Sequence, residues 1–342
     1  MGLRSTRLAA TILATLLGAT LAGCGTEPGS DGPVLTVYSG RNENLVKPLL
    51  DKAEKAIGAK LEVRYGDTAA LAGQLAEEGE RSPADVFFSQ DAGALGALAS
   101  AGRLSKLPQS VLDASPEQWR GTDGTWVATS LRTRAVIYDP KQVAEADLPA
   151  GIDDLLDPKW KGKIGFAPSN ASWQAFVTAI RVMRGEDGAK KWLEGFKANE
   201  PQKYDNNIKI RDAADEGKLA LGLTNHYYWY EKAHQVGVDK MSAKLHFIKG
   251  NDPGALINAA GVAVLKSSKN QELADKFAEF LMSPESQKYF ADKTAEYAVR
   301  AGVTSTEHKL VPLSELQPPD LKLADLQSLP KTAELLRQVG LL

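Results

Sequence analysis

Two phenols stand side by side at Tyr227 and Tyr228, inside the run TNHYYWYEK, and Trp229 and Tyr230 follow at once. The chain has only 9 Tyr and 6 Trp in 342 residues, so this short run concentrates much of a modest aromatic supply. A phenol titrates near ~10, yet a bound, highly charged metal ion displaces its proton and keeps the phenolate. Hard ions of this kind prefer anionic oxygen to thioether or neutral nitrogen. Neighbouring positions at a helix start point roughly 100° apart, so both rings can reach one ion in a cleft. On a regular strand they face opposite sides. The competing reading makes both rings core, the ordinary fate of an isolated Tyr-Tyr pair. Trp229 and Tyr230 are read as packing around the pair.

Other chemistry is sparse. GxSxG, HExxH and Walker-type loops are absent, so the sequence gives no positive reason to read an enzyme. The four histidines are His226, His234, His246 and His308, and the eight-residue spacing of His226 and His234 is a weak metal signal. The single cysteine, Cys24, ends the run LAGC after the basic Arg4 and Arg7 and the apolar stretch Leu8–Leu21. That arrangement is a signal peptide over 1–23 with a lipobox, and it predicts a lipid anchor on Cys24; a plain signal-peptide cut is the alternative. Residues 24–33 are small, polar and rich in Pro and Gly, which predicts a flexible tether. Cleavage leaves 39 basic against 43 acidic side chains, a balance that attracts neither nucleic acid nor anionic lipid. The mature chain is therefore expected outside the cytoplasm, anchored to the membrane and monomeric.

The elements that must position the phenols follow from periodicity. VLTVYSG reads as a strand, and Leu45, Leu49, Leu50, Ala53 and Ile57 form a helical stripe closed by Gly58. AKLEVRYGD, TAALAGQLAEEGE, ADVFFSQD and AGALGALASAG repeat strand and helix. Short links between such elements predict βαβ units with helices on both faces of a mostly parallel sheet. WVATSLRTRAVIYDP holds two extended runs in succession and predicts a crossing between domains. KIGFAP, LALGLT and the helix opened by the tyrosine pair follow, with a return near KGNDPGALINAAGVAVLKSS and C-terminal helices.

In order, LTVYSGRNENLV, SPADVFFSQDAGAL, SLRTRAVIYD, PKWKGKIGFAPSNAS and GLTNHYYW resemble bacterial ferric-iron-binding proteins, the capture components of Fe(III) ABC importers. The likeness runs from about Val34 into the C-terminal helices. It implies an α/β, two-lobed periplasmic-binding-protein fold of the type II, transferrin-like kind. Each lobe would be a mixed, mostly parallel sheet flanked by helices, and two hinge strands would join them. The expected boundaries are 34–130 with 258–307 for lobe one and 131–257 with 308–342 for lobe two. The hinge would cross near Arg134–Tyr138 and Ala255–Ala260.

The resemblance also implies roles. Tyr227 and Tyr228 become the metal ligands for Fe(III) as cargo, completed by carbonate or phosphate as synergistic anion. Ser169, Asn170 and Ala171 stand where a helix begins, and free N–H groups with the positive end of the helix dipole suit an anion there. Ser169 also fits a simple N-cap. By resemblance, Asn207 and Asn225 add hydrogen bonds, and Arg132 supplies charge. Where some family members carry histidine and glutamate ligands, this chain has Asn42 and Gln90. The loop PSNAS carries no third tyrosine. Asn42, Gln90, Asp91 and Arg41 are the remaining cleft candidates. The expected partner is the permease of an ABC importer. Two alternatives stay open: the same fold with a phosphonate, thiamine, polyamine or other non-iron cargo, and, more remotely, an exported enzyme. Ferric tyrosinate absorbs visible light, so colour on adding ferric citrate separates them.

Overall fold

The β-branched runs and amphipathic stripes condense around one long sheet. The computed structural model describes residues Gly32–Leu342. The signal sequence, Cys24 and nearly all of the tether lie outside them. Three strands open the chain, β1 (Val34–Ser39), β2 (Lys60–Tyr65) and β3 (Val86–Ser89), alternating with helices α1 (Glu43–Ile57), α2 (Thr68–Glu78) and α3 (Ala92–Ser100). β1 lies between β2 and β3, parallel to both. α1 buries Leu45, Val46, Leu49, Leu50 and Ala53, and Gly58 at φ 68° closes it, a left-handed conformation that suits glycine.

The short α4 (Gln109–Asp113) precedes β4 (Trp126–Tyr138), whose thirteen residues are all buried. β4 pairs antiparallel with β9 (Ile257–Val264) from Trp126 to Thr133 and then with β7 (Leu221–Asn225) from Arg134 to Tyr138. The two extended runs read from the sequence are thus one continuous strand that serves both halves of the sheet. The change of partner falls at Thr133/Arg134. The return crossing lies beside it, where the Leu256 carbonyl accepts the Arg134 N–H at 3.0 Å.

The second half contains β5 (Ile164–Phe166), the long α5 (Ala171–Ala198), β6 (Gln202–Lys203), α6 (Asn207–Asp215), β7, α7 (Tyr227–Val236) and β8 (Lys244–His246). The main path through the sheet is β2-β1-β3-β9-β4-β7-β5-β6, with β8 and β10 (Tyr297–Ala298) also on β4. α8 (Gln271–Leu281) and α9 (Pro284–Lys293) cover the first half, and α10 (Leu313–Leu316) and α11 (Leu329–Val339) end the chain.

Two main cores result. Leu35, Val37, Phe87, Phe88, Leu95, Val262 and Phe277 centre the first, and Phe166, Trp173, Phe176, Trp192 and Phe196 centre the second. The tail is divided between them, unlike the expectation that 308–342 belongs wholly with lobe two. Leu335, Leu336 and Val339 join the second core, whereas Leu316, Leu323 and Leu326 join the first. The reason lies on α3: Gly93 and Gly96 have no Cβ, so the backbone at Leu326 and Gln327 lies directly against the helix.

Candidate functional site

β7 runs into α7 through His226 alone. The strand is buried throughout, so its end is fixed, and the first helical turn begins on the inner side of the molecule. His226 fastens this corner: its N–H donates to the Thr133 carbonyl at 3.2 Å, and its Nδ1 accepts the Thr133 N–H at 3.3 Å. Burial pushes the His226 pKa down to about 4, so the ring is a neutral structural group at pH 7. Arg211 on α6 holds the next step by donating to the Tyr228 carbonyl at 3.1 Å.

Pinned this way, the Tyr227 and Tyr228 rings lie with centroids 4.1 Å apart and planes inclined by 32°. They are 2 % and 4 % exposed. Both rings belong to the first hydrophobic core, and of the two only Tyr228 reaches a cavity. Tyr228 lines a cavity of about 240 Å³, and Gln90 Nε2 approaches the Tyr227 hydroxyl at 3.5 Å, a long hydrogen bond. Burial first, and then the neighbouring Tyr228, raise the Tyr227 pKa well above that of a free phenol, while Arg132 and Arg41 pull it down. Arg134 stands against both phenols; burial lowers its pKa to about 10, so it remains a cation. Trp229 and Tyr230 pack as expected, with Trp229 Nε1 donating to the Ala243 carbonyl and the Tyr230 hydroxyl to that of Lys309.

The cavity wall has a common feature. Asn42, Asp67, Asn170 and Asn206 all line it, and each is the N-cap of a helix, α1, α2, α5 and α6 in turn. Four helix starts, two from each half of the sheet, therefore face one space. Their outward N–H groups and dipole ends make it favourable to negative charge. Close packing of the turns in the first half produces this convergence. Thr68 Oγ1 donates to the Gly40 carbonyl and accepts the Gln90 N–H, each at 3.3 Å. A Cβ on Gly40 would collide with the Thr68 hydroxyl, so glycine is required there.

The candidates divide between the wall and the layer behind it. Asn42, Gln90, Arg41, Ser169, Asn170 and Ala171 line the cavity with Tyr228. Asn207 and Asn225 sit behind it. Asn207 Nδ2 donates to Asn170 Oδ1 at 3.2 Å, and Asn225 Nδ2 donates to Ser172 Oγ at 2.8 Å. Both brace the start of α5. Arg132 also turns away, donating to the Gln90 carbonyl at 2.6 Å and to Glu296 at 3.0 Å. Asp91 is the N-cap of α3: Oδ1 accepts the Ala94 N–H at 3.0 Å, and Oδ2 accepts from Asn258 at 2.6 Å. The one-residue step from Gln90 points its carboxylate into the fold. Asp91→Ala is expected to cost about 1–3 kcal/mol of stability through the lost cap and the unpaired Asn258. Urea unfolding measures that loss, and ligand affinity should stay unchanged.

Several lining residues were not singled out from the sequence: Asp67, Thr68, Asp205, Asn206 and Ile208. Asp67 faces the cavity, yet the protein packed around it raises its pKa, against the lowering effect of the Ala69 N–H. The signal for Asp67 was present in YGDTAA, a capping residue between strand and helix, the same pattern that marks Asn170.

The chain is similar to known proteins. The family described as bacterial extracellular solute-binding protein matches residues 81–321. The chain belongs to that family. Among curated relatives, the major ferric iron-binding protein of Neisseria meningitidis serogroup A is 36% identical over 311 residues, covering 90% of this chain and 93% of that protein. The Fe(3+)-binding periplasmic protein of Serratia marcescens is 33% identical over 331 residues, covering 96% and 97%. Among solved structures, iron-bound HitA from Pseudomonas aeruginosa superposes with a TM-score of 0.85 at 36% identity, covering 90% of this chain and all of that one. This solute-binding protein therefore has the two-lobed, transferrin-like α/β fold, and the chain passes between its halves within β4 and again just before β9.

Proposed function

We propose that this solute-binding protein captures Fe(III) together with a small oxyanion, in the cavity between the two halves, and hands it to the permease of an ABC importer. The observation that carries the reading is the closely apposed Tyr227–Tyr228 pair at the head of α7, beside a cavity faced by four helix starts. Relatives named for ferric iron, alike over nearly the whole described chain, support it. Two phenolates supply hard anionic oxygen to the metal. They leave one unit of its charge and most of its coordination sphere unmet, and the start of α5 at Ser169, Asn170 and Ala171 suits the anion that fills them.

Capture begins on the half that carries α5, α6 and α7. The other half then closes by a hinge at Thr133/Arg134 and Leu256, bringing Asn42 and Gln90 over the ion. The role is binding and delivery, without turnover. The lipid on Cys24 holds the protein at the outer face of the cell membrane, where the tether lets it reach its permease.

The test is colour. Apo-protein titrated with a ferric salt at neutral pH, with and without bicarbonate or phosphate, gains a visible tyrosinate-to-iron absorption at one equivalent, and the gain requires the anion. A colourless protein with no bound iron overturns the reading and leaves an organic or anionic cargo.

A further inference from the structure

Behind Tyr227 lies a buried ion group that the binding reading has not used. Glu296 precedes β10, and its side chain is fully buried. Its Oε2 accepts from Arg41 Nη2 at 2.6 Å and from the Thr294 hydroxyl at 2.9 Å, and its Oε1 accepts from Arg132 Nη2 at 3.0 Å. Both arginine side chains are 2 % exposed. Their other contacts are neutral: Arg41 Nη1 donates to Ser130 Oγ at 3.3 Å, and Arg132 Nη1 donates to the Gln90 carbonyl. Arg132 Nε has no partner among the described residues.

One carboxylate thus faces two guanidiniums; Asp91, a second buried carboxylate, acts on Arg132, and Arg134 is a third buried cation against both phenols, so these groups together keep one net positive charge. Burying such a group is costly, and an uncompensated charge inside protein acts over several ångströms with little screening. The Tyr227 oxygen is joined to Arg132 through Gln90: Arg132 holds the Gln90 carbonyl, and the Gln90 side chain approaches the Tyr227 hydroxyl at 3.5 Å. The group also sits at the root of the hinge, since Arg132 is two residues before the point where β4 changes partners.

We propose that Glu296 is a positioning residue for the ferric site: it seats Arg41 and Arg132 so that one uncompensated positive charge stands behind Tyr227 and biases the oxidation state of the bound metal. This rests on the ferric reading above. Positive charge near an iron centre favours the ferrous over the ferric state, so the group shifts the reduction potential of the bound ion upward.

A charge cycle tests it. The ferric form of the mature chain is titrated spectroelectrochemically at fixed pH and fixed phosphate, following the tyrosinate absorption. Glu296→Gln adds one net positive charge and is expected to move the potential up. Arg132→Gln removes one and is expected to move it down. The double variant restores the original net charge and is expected to return close to the parent. A purely structural role gives a different result, because loosened ligands destabilise the ferric state and raise the potential in both single variants, with no cancellation in the double. An upward or absent shift in Arg132→Gln overturns the proposal. Thermal melts of the apo-proteins identify variants that do not fold; if Glu296→Gln is among them, the sign of the Arg132→Gln shift decides. Parent protein that takes up no ferric ion overturns the ferric reading itself, whereas iron uptake without shifts ordered by charge overturns only the role of Glu296.

Discussion

Tyr227→Phe is expected to abolish most ferric binding and the visible absorption that accompanies it, while the fold stays intact. The substitution removes one oxygen and keeps the ring. The ring is what the protein packs: it lies tilted against Tyr228 at 4.1 Å and meets the His226 ring edge-on at 5.9 Å. Among the described residues the hydroxyl makes only the long contact from Gln90, so its loss leaves no strongly paired donor stranded. Iron, by contrast, loses an anionic ligand. Removing an outer-layer partner of a metal ligand typically costs about 10–100-fold in affinity, and losing the ligand itself should exceed about 100-fold. Tyr228→Phe should behave alike, and the two together should leave no colour at all. Isothermal titration with ferric salt and phosphate gives the affinities, and thermal melts of the apo-proteins give the control. Parent-like iron binding by Tyr227→Phe would show that the phenol is not a ligand.

How far the sequence carried this reading depended on the range of each interaction. The βα alternation was legible because it is local: a β-branched run, a stripe and a capping residue suffice. The tyrosine pair was legible for the same reason, since adjacency at a helix start is a property of consecutive residues. The start of α5 was legible through its capping pattern. The partners of the arginines were not. Glu296 lies 255 residues from Arg41 and 164 from Arg132, and no local pattern announces such a pairing. Arg132 therefore looked like a source of charge for the anion, although its guanidinium is committed to Glu296. Asn207 and Asn225 were read as contacts for the anion, and in the structure each braces the helix start behind the cavity. Asp91 showed the limit at single-residue resolution: QDAG contains both a cleft residue, Gln90, and a helix cap, and only the backbone direction at the end of β3 separates them. The split tail was also hidden, because the docking of Leu326 depends on two glycines more than two hundred residues earlier.

The neutral residues opposite the phenols shape what the site can do. Asn42 and Gln90 offer amides, and the helix starts offer N–H groups, so much of the cavity wall donates hydrogen bonds. Asp67 and Asp205 are its carboxylates, and Asp67 already accepts the Ala69 N–H. A metal held this way depends on the anion for what the protein does not supply, which is why the colour titration is specified with and without one.

The second large effect is on pH. Ferric affinity is expected to fall steeply as pH drops, by about tenfold per pH unit for each proton that the metal displaces. The sign follows from proton counting. Burial and the neighbouring Tyr228 raise the Tyr227 pKa, so in the apo-protein this phenol holds its proton at neutral pH. In the complex the oxygen is a ligand and holds none. The bound state therefore carries fewer protons than the free state, and binding strengthens as pH rises and weakens as it falls. The proton displaced from Tyr227 alone contributes about one to the slope of log affinity against pH where the anion's own titration is flat. Tyr227→Phe should retain weaker binding with a slope lower by about one. Competition against a chelator of known protonation, run at several pH values with phosphate fixed, measures both slopes. A flat profile in the parent protein would mean that no phenol proton is exchanged for iron. Equal slopes in the parent and Tyr227→Phe would place the displaced proton elsewhere.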